Sequence, residues 1–236
     1  MLGAVERGGP FGPEGVANEP AVAGVARAHE RGRPAPDRSA ESSPLRSARH
    51  RAATLALVVV ALAGLATFGA GAWLTAKAYL GQWLLERAFE RGQATGVAER
   101  PWPWADTHPV ARLSSPASGA EVLVLAGASG RTLAWGPGHL DDSAPLGSAG
   151  NAVVSAHRDT HFRFLEHVGV GDDLVLELAD GARQHYRVRE RYVTDVDSLR
   201  LPRHTSVPTL TLVTCYPFDA IVPGGPMRLV VVAEPR

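Results

Sequence analysis

Cysteine is almost absent from this chain: Cys215 is the only one in 236 residues. A single thiol excludes an intrachain disulfide in any compartment. It also excludes a structural zinc site built on several thiolates. Lysine is as scarce, with Lys77 the lone example among 24 basic residues. We read the arginine excess as coding bias and attach no mechanism to it. A surplus of either charge is missing, because 24 basic residues balance 24 acidic ones. Such a balance gives no bulk attraction to nucleic acid or to acidic partners. Internal repeats are missing too. One long apolar run stands out, since residues 52–76 contain no charged side chain.

That run organises the N-terminal half. Residues 1–51 are rich in Gly, Pro, Ala and charged residues, with no apolar period. Such a segment cannot bury enough surface to offset its ordering entropy, so a disordered cytoplasmic tail is expected over 1–51. Translation starting further in is the alternative. About 20 apolar residues at 1.5 Å rise span a bilayer core, so 52–76 is expected to be a transmembrane helix. A signal peptide competes with this reading, and Ala70-Gly71-Ala72 is small enough for cleavage. Signal h-regions are shorter, roughly 7–15 residues, and lie nearer the N-terminus, which favours an uncleaved anchor. Arg46, Arg49 and Arg51 precede the run and Lys77 alone follows it. The positive-inside rule then places the N-terminus in the cytoplasm and the C-terminal bulk outside, on a single-pass protein of the cell membrane.

Residues 77–109 read as a stalk and a linker. Leu80, Trp83, Leu84, Ala88 and Phe89 recur at helical spacing, with Glu86, Arg87, Glu90 and Arg91 between them. The membrane helix is expected to continue outward as an amphipathic stalk and to end at Gly92. Pro101, Pro103 and Pro109 make the rest a semi-rigid spacer. Trp102 and Trp104 are expected to pack on the following domain or at the membrane interface.

From residue 110 the chain is a string of short strands. The period-two pattern and the turn signals place them near 110–114, 121–125, 152–156, 173–178, 183–193, 195–199, 209–214 and 227–233. Only short helical pieces fit between, around 132–136 and 161–167. The fold class is therefore all-β, with closely spaced short strands implying a closed barrel or a sandwich over 110–236.

Three strand ends carry chemistry. Thr209 to Thr214 alternates as a strand and ends on Cys215, and Tyr216-Pro217 stops it because proline has no N–H for a central ladder. Asn151 to Ala156 is a second apolar strand, with His157 at its exit. Arg228 lies just inside the apolar strand that follows Gly224-Gly225-Pro226. Taken singly, each has a plain explanation: a buried small thiol, a surface histidine, a strand-edge arginine. Together they supply a nucleophile, a proton carrier and an oxyanion donor.

These residues resemble one family. Thr211-Leu212-Val213-Thr214-Cys215 fits the TLxTC signature of sortases, the membrane-anchored cysteine transpeptidases. Gly150-Asn151 through His157-Arg158-Asp159-Thr160-His161-Phe162 resembles the segment that carries the sortase histidine. Gly138-His139-Leu140 and Pro145-Leu146-Gly147 resemble the run before it, and Arg228 with Leu229-Val230-Val231 matches the family arginine. Cys215-Tyr216-Pro217-Phe218 looks closest to class D-like sortases or their relatives in Gram-negative bacteria. Ala156 and Leu146 depart from the common glycine and proline.

The resemblance covers residues 110–235 and implies an eight-stranded sortase β-barrel with short helices, preceded by a transmembrane helix. It implies that Cys215 attacks a backbone carbonyl in a C-terminal sorting motif similar to LPxTG. It also implies that protonated His157 serves the leaving amine, and that an amine acceptor resolves the thioacyl enzyme. Arg228 is then expected to hydrogen-bond the oxyanion or the substrate carbonyls. Substrate contacts are expected from Thr214, His139 and the loop from Ser198 to Pro208. The partners so implied are a protein with a C-terminal sorting signal, an amine acceptor and the bilayer, with no nucleic acid and no cofactor. Two other classes use the same residues: a cysteine hydrolase of the motif, and a non-catalytic membrane-tethered barrel that binds peptides. Asp172-Asp173 and Asp141-Asp142 are read as turn residues, since a calcium cage needs six or more oxygens. Arg187, Arg189 and Arg191 are read as the solvent face of a strand.

Overall fold

A computed structural model describes residues 44–202, 204–222 and 224–236. The tail expected over 1–51 lies mostly outside the described residues, and its final stretch, 44–51, is helical. Two compact units divide after Val58. Described side chains of the first, 47–58, are exposed along a helix. That helix belongs to α1 (Pro44–Thr95). Its segment Ser47–Thr95 is long and apolar enough to cross a membrane, and its apolar window is wholly unburied. Leu65, Phe68 and Leu74 are each about two-thirds or more exposed. Apolar groups this numerous and this bare need a nonaqueous covering.

Past the apolar run, α1 docks on the barrel within the second unit. Leu85, Ala88 and Phe89 are fully buried. Leu85 and Phe89 pack with Leu123, Leu125 and Trp135 in a satellite core. Arg112 closes the contact, donating to Glu86 at 2.5 Å with its guanidinium over the Phe89 ring. The amphipathic stripe was legible in sequence. Its role is to fix the helix to the barrel. Helix α1 also runs three residues past Gly92. The terminating glycine is Gly96, whose φ of 71° and N–H bond to the Gly92 carbonyl make the left-handed cap. The expected spacer is likewise pinned: the Trp102 ring packs on Trp135 at a tilt of 59° with centroids 5.0 Å apart, and Thr107 donates to the Ala126 carbonyl at 2.7 Å.

The rest is a closed eight-stranded barrel. Its strands are β1 (Pro109–Ser115), β2 (Ala120–Ala126), β3 (Gly138–His139), β4 (Gly150–Ser155), β5 (Asp173–Leu178), β6 (Arg183–Asp195), β7 (Pro208–Cys215) and β8 (Met227–Pro235). Their order around the barrel is β1-β2-β3-β4-β7-β8-β6-β5. The expected strand at 195–199 does not exist. Strand β6 continues to Asp195, and a short 3-10 turn, Val196–Ser198, follows it, with the Asp195 carboxylate accepting from the Asp197 N–H. The eighth strand is instead β3, two residues that show no periodicity and join β2 to β4. A bulge between Val188 and Glu190 lets the long β6 follow β8 around the barrel.

The core holds Leu113, Leu174, Leu176, Tyr186, Leu210, Leu212, Leu229 and Val231. Strands β4 and β7 are buried along nearly their whole length, on both faces. The outer face of this pair carries polar ties rather than open surface. Thr211 donates to Asn151 Oδ1 at 2.7 Å, and Asn151 Nδ2 donates to the Pro202 carbonyl at 2.9 Å. Pro202 is thereby held against the outer face of β4 and β7.

Candidate functional site

Strands β4 and β7 run parallel, with Ser155 registered on Val213. Parallel neighbours end at the same rim, about 4.8 Å apart. The register is held to the last residue: the Ala156 N–H donates to the Val213 carbonyl at 3.2 Å. Thr214 Oγ1 then donates to the Ala156 carbonyl at 2.8 Å. One residue beyond that tie on each strand stand His157 and Cys215. Arg228 comes from the other side, because β8 is antiparallel to β7 and pairs Cys215 directly with Arg228. Residues directly opposite in a ladder share a face. The three residues singled out by motif thus meet on one rim, from three neighbouring strands.

Access suits chemistry there. His157 is exposed, and Cys215 and Arg228 are half-buried. Arg228 Nη1 donates to the carbonyls of Gly225 and Met227, at 2.5 and 2.9 Å. Among the described residues, its Nε and Nη2 donate to nothing, which leaves one edge of the guanidinium for a ligand. His161 lies beside His157. Burial first, and the His157 charge second, hold its ring below the usual histidine pKa.

Sequence reading passed over one residue of this site. Arg158 is only 3 % exposed. Its guanidinium takes both oxygens of Asp159, at 2.7 and 3.0 Å, and donates to the carbonyls of Pro217 and Ala220. Residue 158 follows the histidine, and 217 and 220 follow the cysteine. Arg158 therefore ties the histidine loop to the cysteine loop with one planar fork. The bond to Asp159 raises the Arg158 pKa further and lowers that of the Asp159 carboxyl. Nothing local marks an arginine as buried, and only the meeting of the two loops does so.

Of the residues expected at the substrate, Thr214 is buried, and its hydroxyl donates to the Ala156 carbonyl. His139 Nε2 lies 2.9 Å from the Ala144 carbonyl and 3.1 Å from Ser143 Oγ, which gives it a loop-holding role. Ser198 is exposed on the turn after β6. Pro208 opens β7, seven residues before Cys215, which at roughly 3.3 Å per residue is about 23 Å along the strand. Ala156 and Leu146 both pack on the barrel core, so the two departures from the family pattern contribute apolar contact. Asp172 caps the Gly169 N–H, and Asp173 pairs with Arg187 and Arg236. Among the described residues, no three His, Cys, Asp or Glu side chains gather in a metal-holding group. Arg189 pairs with Glu234, and Arg191 reaches the Glu166 carbonyl.

A family model described as a sortase domain matches residues 113–236. The chain is 31% identical over 142 residues to Sortase D of Bacillus subtilis (strain 168), covering 60% of this chain and 64% of that protein. The fold is similar to that of sortase A from Corynebacterium diphtheriae, with a TM-score of 0.51 and 26% identity over 56% of this chain and 63% of that one. It is also similar to a sortase D5 transpeptidase of Clostridium perfringens, with a TM-score of 0.54 and 20% identity over 67% of this chain and 99% of that one; at this identity the likeness is one of fold.

Proposed function

Because this chain belongs to the sortase family, we propose that it is a membrane-anchored cysteine transpeptidase acting on proteins with a C-terminal sorting motif similar to LPxTG. The observation that carries this reading is the register that sets Cys215 between His157 and Arg228 on one open rim. The Cys215 thiolate adds to the carbonyl carbon of the scissile peptide bond, and the oxygen takes the negative charge. The unshared edge of Arg228 donates to that oxygen or to a neighbouring substrate carbonyl. The C–N bond then breaks as protonated His157 gives its proton to the leaving amine, and a thioester to Cys215 remains. An acceptor amine attacks the thioester, His157 takes its proton, and the C–S bond breaks to restore the thiolate. The half-exposed thiol and exposed imidazole admit a peptide without a large opening motion.

A motif peptide incubated with the wild-type protein gives an acyl adduct on Cys215 by mass spectrometry, and added amine diverts product from acid to amide. Cys215→Ala, with the fold kept, gives neither cleavage nor transfer. Acid alone at saturating amine makes the protein a hydrolase. An intact peptide with no adduct makes it a non-catalytic binder, and normal turnover by Cys215→Ala rejects covalent catalysis. The arginines before residue 52 motivate an N-terminus inside and a barrel outside. Protease added outside intact spheroplasts then cuts the barrel and spares the tail, whereas a protected barrel reverses the topology.

A further inference from the structure

Trp135 stands where the stalk meets the histidine loop. The antiparallel register that pairs Gly138 with Ser155 leads back along the chain from β3 to Trp135 and forward from β4 to His157, toward the same end of the barrel. The backbone there is pinned on both sides. The Trp135 N–H donates to the Thr132 carbonyl at 2.9 Å, and the Pro137 carbonyl accepts from the Leu125 N–H at 2.8 Å. The Trp135 ring lies against Gly81 of α1, where a Cβ would sit 2.1 Å from a ring carbon. Gln82, the next stalk residue, donates from Nε2 to the Trp135 carbonyl at 2.7 Å. That carbonyl has a second partner, because the His161 ring also hydrogen-bonds to it. Thr160 Oγ1 engages His161 Nδ1 at 3.2 Å, which leaves Nε2 as the nitrogen that donates to Trp135. One carbonyl oxygen, with its two lone pairs, joins a stalk glutamine to a histidine of the site.

We propose that His161 is a positioning residue for His157, and that the docked stalk supports it through Gln82 and the Trp135 carbonyl. The inference rests on the reading of His157 as the proton carrier. Such a group works only within hydrogen-bond reach of the atom it serves. His157 is exposed, so packing does not orient it, and its place depends on the turn that carries it. That turn is closed by the Phe162 N–H, which donates to the His157 carbonyl at 3.1 Å. Phe162 is fully buried in the barrel core, so packing sets the far end of the turn. Arg158 holds the side that faces the cysteine loop. His161 holds the side that faces Trp135. Gly81 and Gln82 in turn keep Trp135 from shifting, because the ring has no room to move toward α1 and the carbonyl is tied to it. The docked face of α1 therefore does more than bury apolar surface: it is the outer support of the histidine turn.

The test uses the full-length chain in mild detergent, with three readouts: transfer of a motif peptide to an added amine, thermal melting, and amide hydrogen exchange at Phe162. His161→Phe keeps a planar ring and removes the donor. The Trp135 carbonyl still has Gln82, so no acceptor is orphaned and the melting temperature should fall by less than about 4 °C. Turnover should lose about tenfold or more in kcat with KM unchanged, because a misplaced proton carrier costs rate and not binding. Exchange at Phe162 should quicken. His161→Gln sets an amide N–H near the place of Nε2, and should restore kcat to within about threefold of wild type and exchange to the wild-type rate. Gln82→Leu should lower kcat about threefold or more by itself and add nothing to His161→Phe, since the two act in series through one carbonyl. Losses that multiply in the double variant overturn the link to the stalk. Full turnover with unchanged exchange in His161→Phe overturns the positioning role, and so does a loss that His161→Gln shares. A melting temperature that falls in step with kcat makes His161 structural. A wild type that forms no acyl adduct removes the transpeptidase reading, and exchange at Phe162 across the variants then decides the linkage by itself.

Discussion

The tie between Thr214 and Ala156 makes a prediction in which stability and catalysis can be read separately. Thr214→Val keeps the shape and β-branching of the side chain and removes only the hydroxyl. The hydroxyl is buried, and it is the donor to the Ala156 carbonyl at 2.8 Å, in a residue only 5 % exposed. Leaving a buried acceptor unpaired costs about 1–3 kcal/mol. For a domain of this size about 4 °C of melting temperature goes with each kcal/mol, so a fall of about 4–12 °C is expected. The same bond sets the spacing of the residues that follow it, His157 and Cys215. Transfer measured well below the melting range should therefore lose more than tenfold in kcat/KM, beyond any loss of folded protein. The assay is a circular-dichroism melt beside peptide-to-amine transfer at 20 °C. A melting temperature unchanged within about 1 °C refutes the buried-acceptor reasoning. A lowered melting temperature with full activity refutes the positioning role and leaves the bond structural.

The docked stalk predicts where the chain can be cut. Burial of Leu85 and Phe89 is worth about 1.5–3 kcal/mol each, a large part of a typical stability of 5–15 kcal/mol. A chain beginning at Ala78 should stay folded, and one beginning at Gly92 should show a urea midpoint lower by about 1–3 M; equal midpoints would mean that the docked face contributes nothing. The two site arginines should respond differently to lysine. Arg228→Lys should lose about 10²–10³ in kcat/KM with little change in melting temperature, because a point donor cannot reproduce the fork. Near-normal turnover would remove Arg228 from the site. Arg158→Lys, which cannot serve both Asp159 oxygens and two carbonyls, should lower both turnover and melting temperature and speed hydrogen exchange at residues 216–222. Unchanged exchange there would show that the cysteine loop holds without it.

Much of this protein is written locally. Alternation along 209–214 and 173–178 is a property of each strand alone, and it sufficed to place them. The uncharged run at 52–76 needs no tertiary partner to be read as a membrane-crossing helix. The three candidate residues stand in motifs, so the chemistry proposed for them follows from residue type and order. Strand β3 was illegible because two residues have no period, and the turn at 196–198 was taken for a strand because Val196 and Leu199 are the apolar residues of a run that mimics one. The end of α1 was misplaced because two glycines compete for the cap, and only the backbone conformation of Gly96 decides it.

Other features belong to the tertiary structure alone. The parallel pairing of β4 with β7 joins residues 58 apart in sequence, and no local pattern distinguishes it from other pairings of apolar strands. That pairing turns a histidine and a cysteine at separate strand ends into neighbours. The burial of Arg158 exists only where the two loops close on it. The amphipathic face at Leu85 and Phe89 announces that it will be covered, but not by what, because apolar burial is non-directional. Sequence alone placed most of the elements and marked the candidate reactive groups. Tertiary structure decided which of them meet, because contact depends on closing the barrel and not on neighbours along the chain.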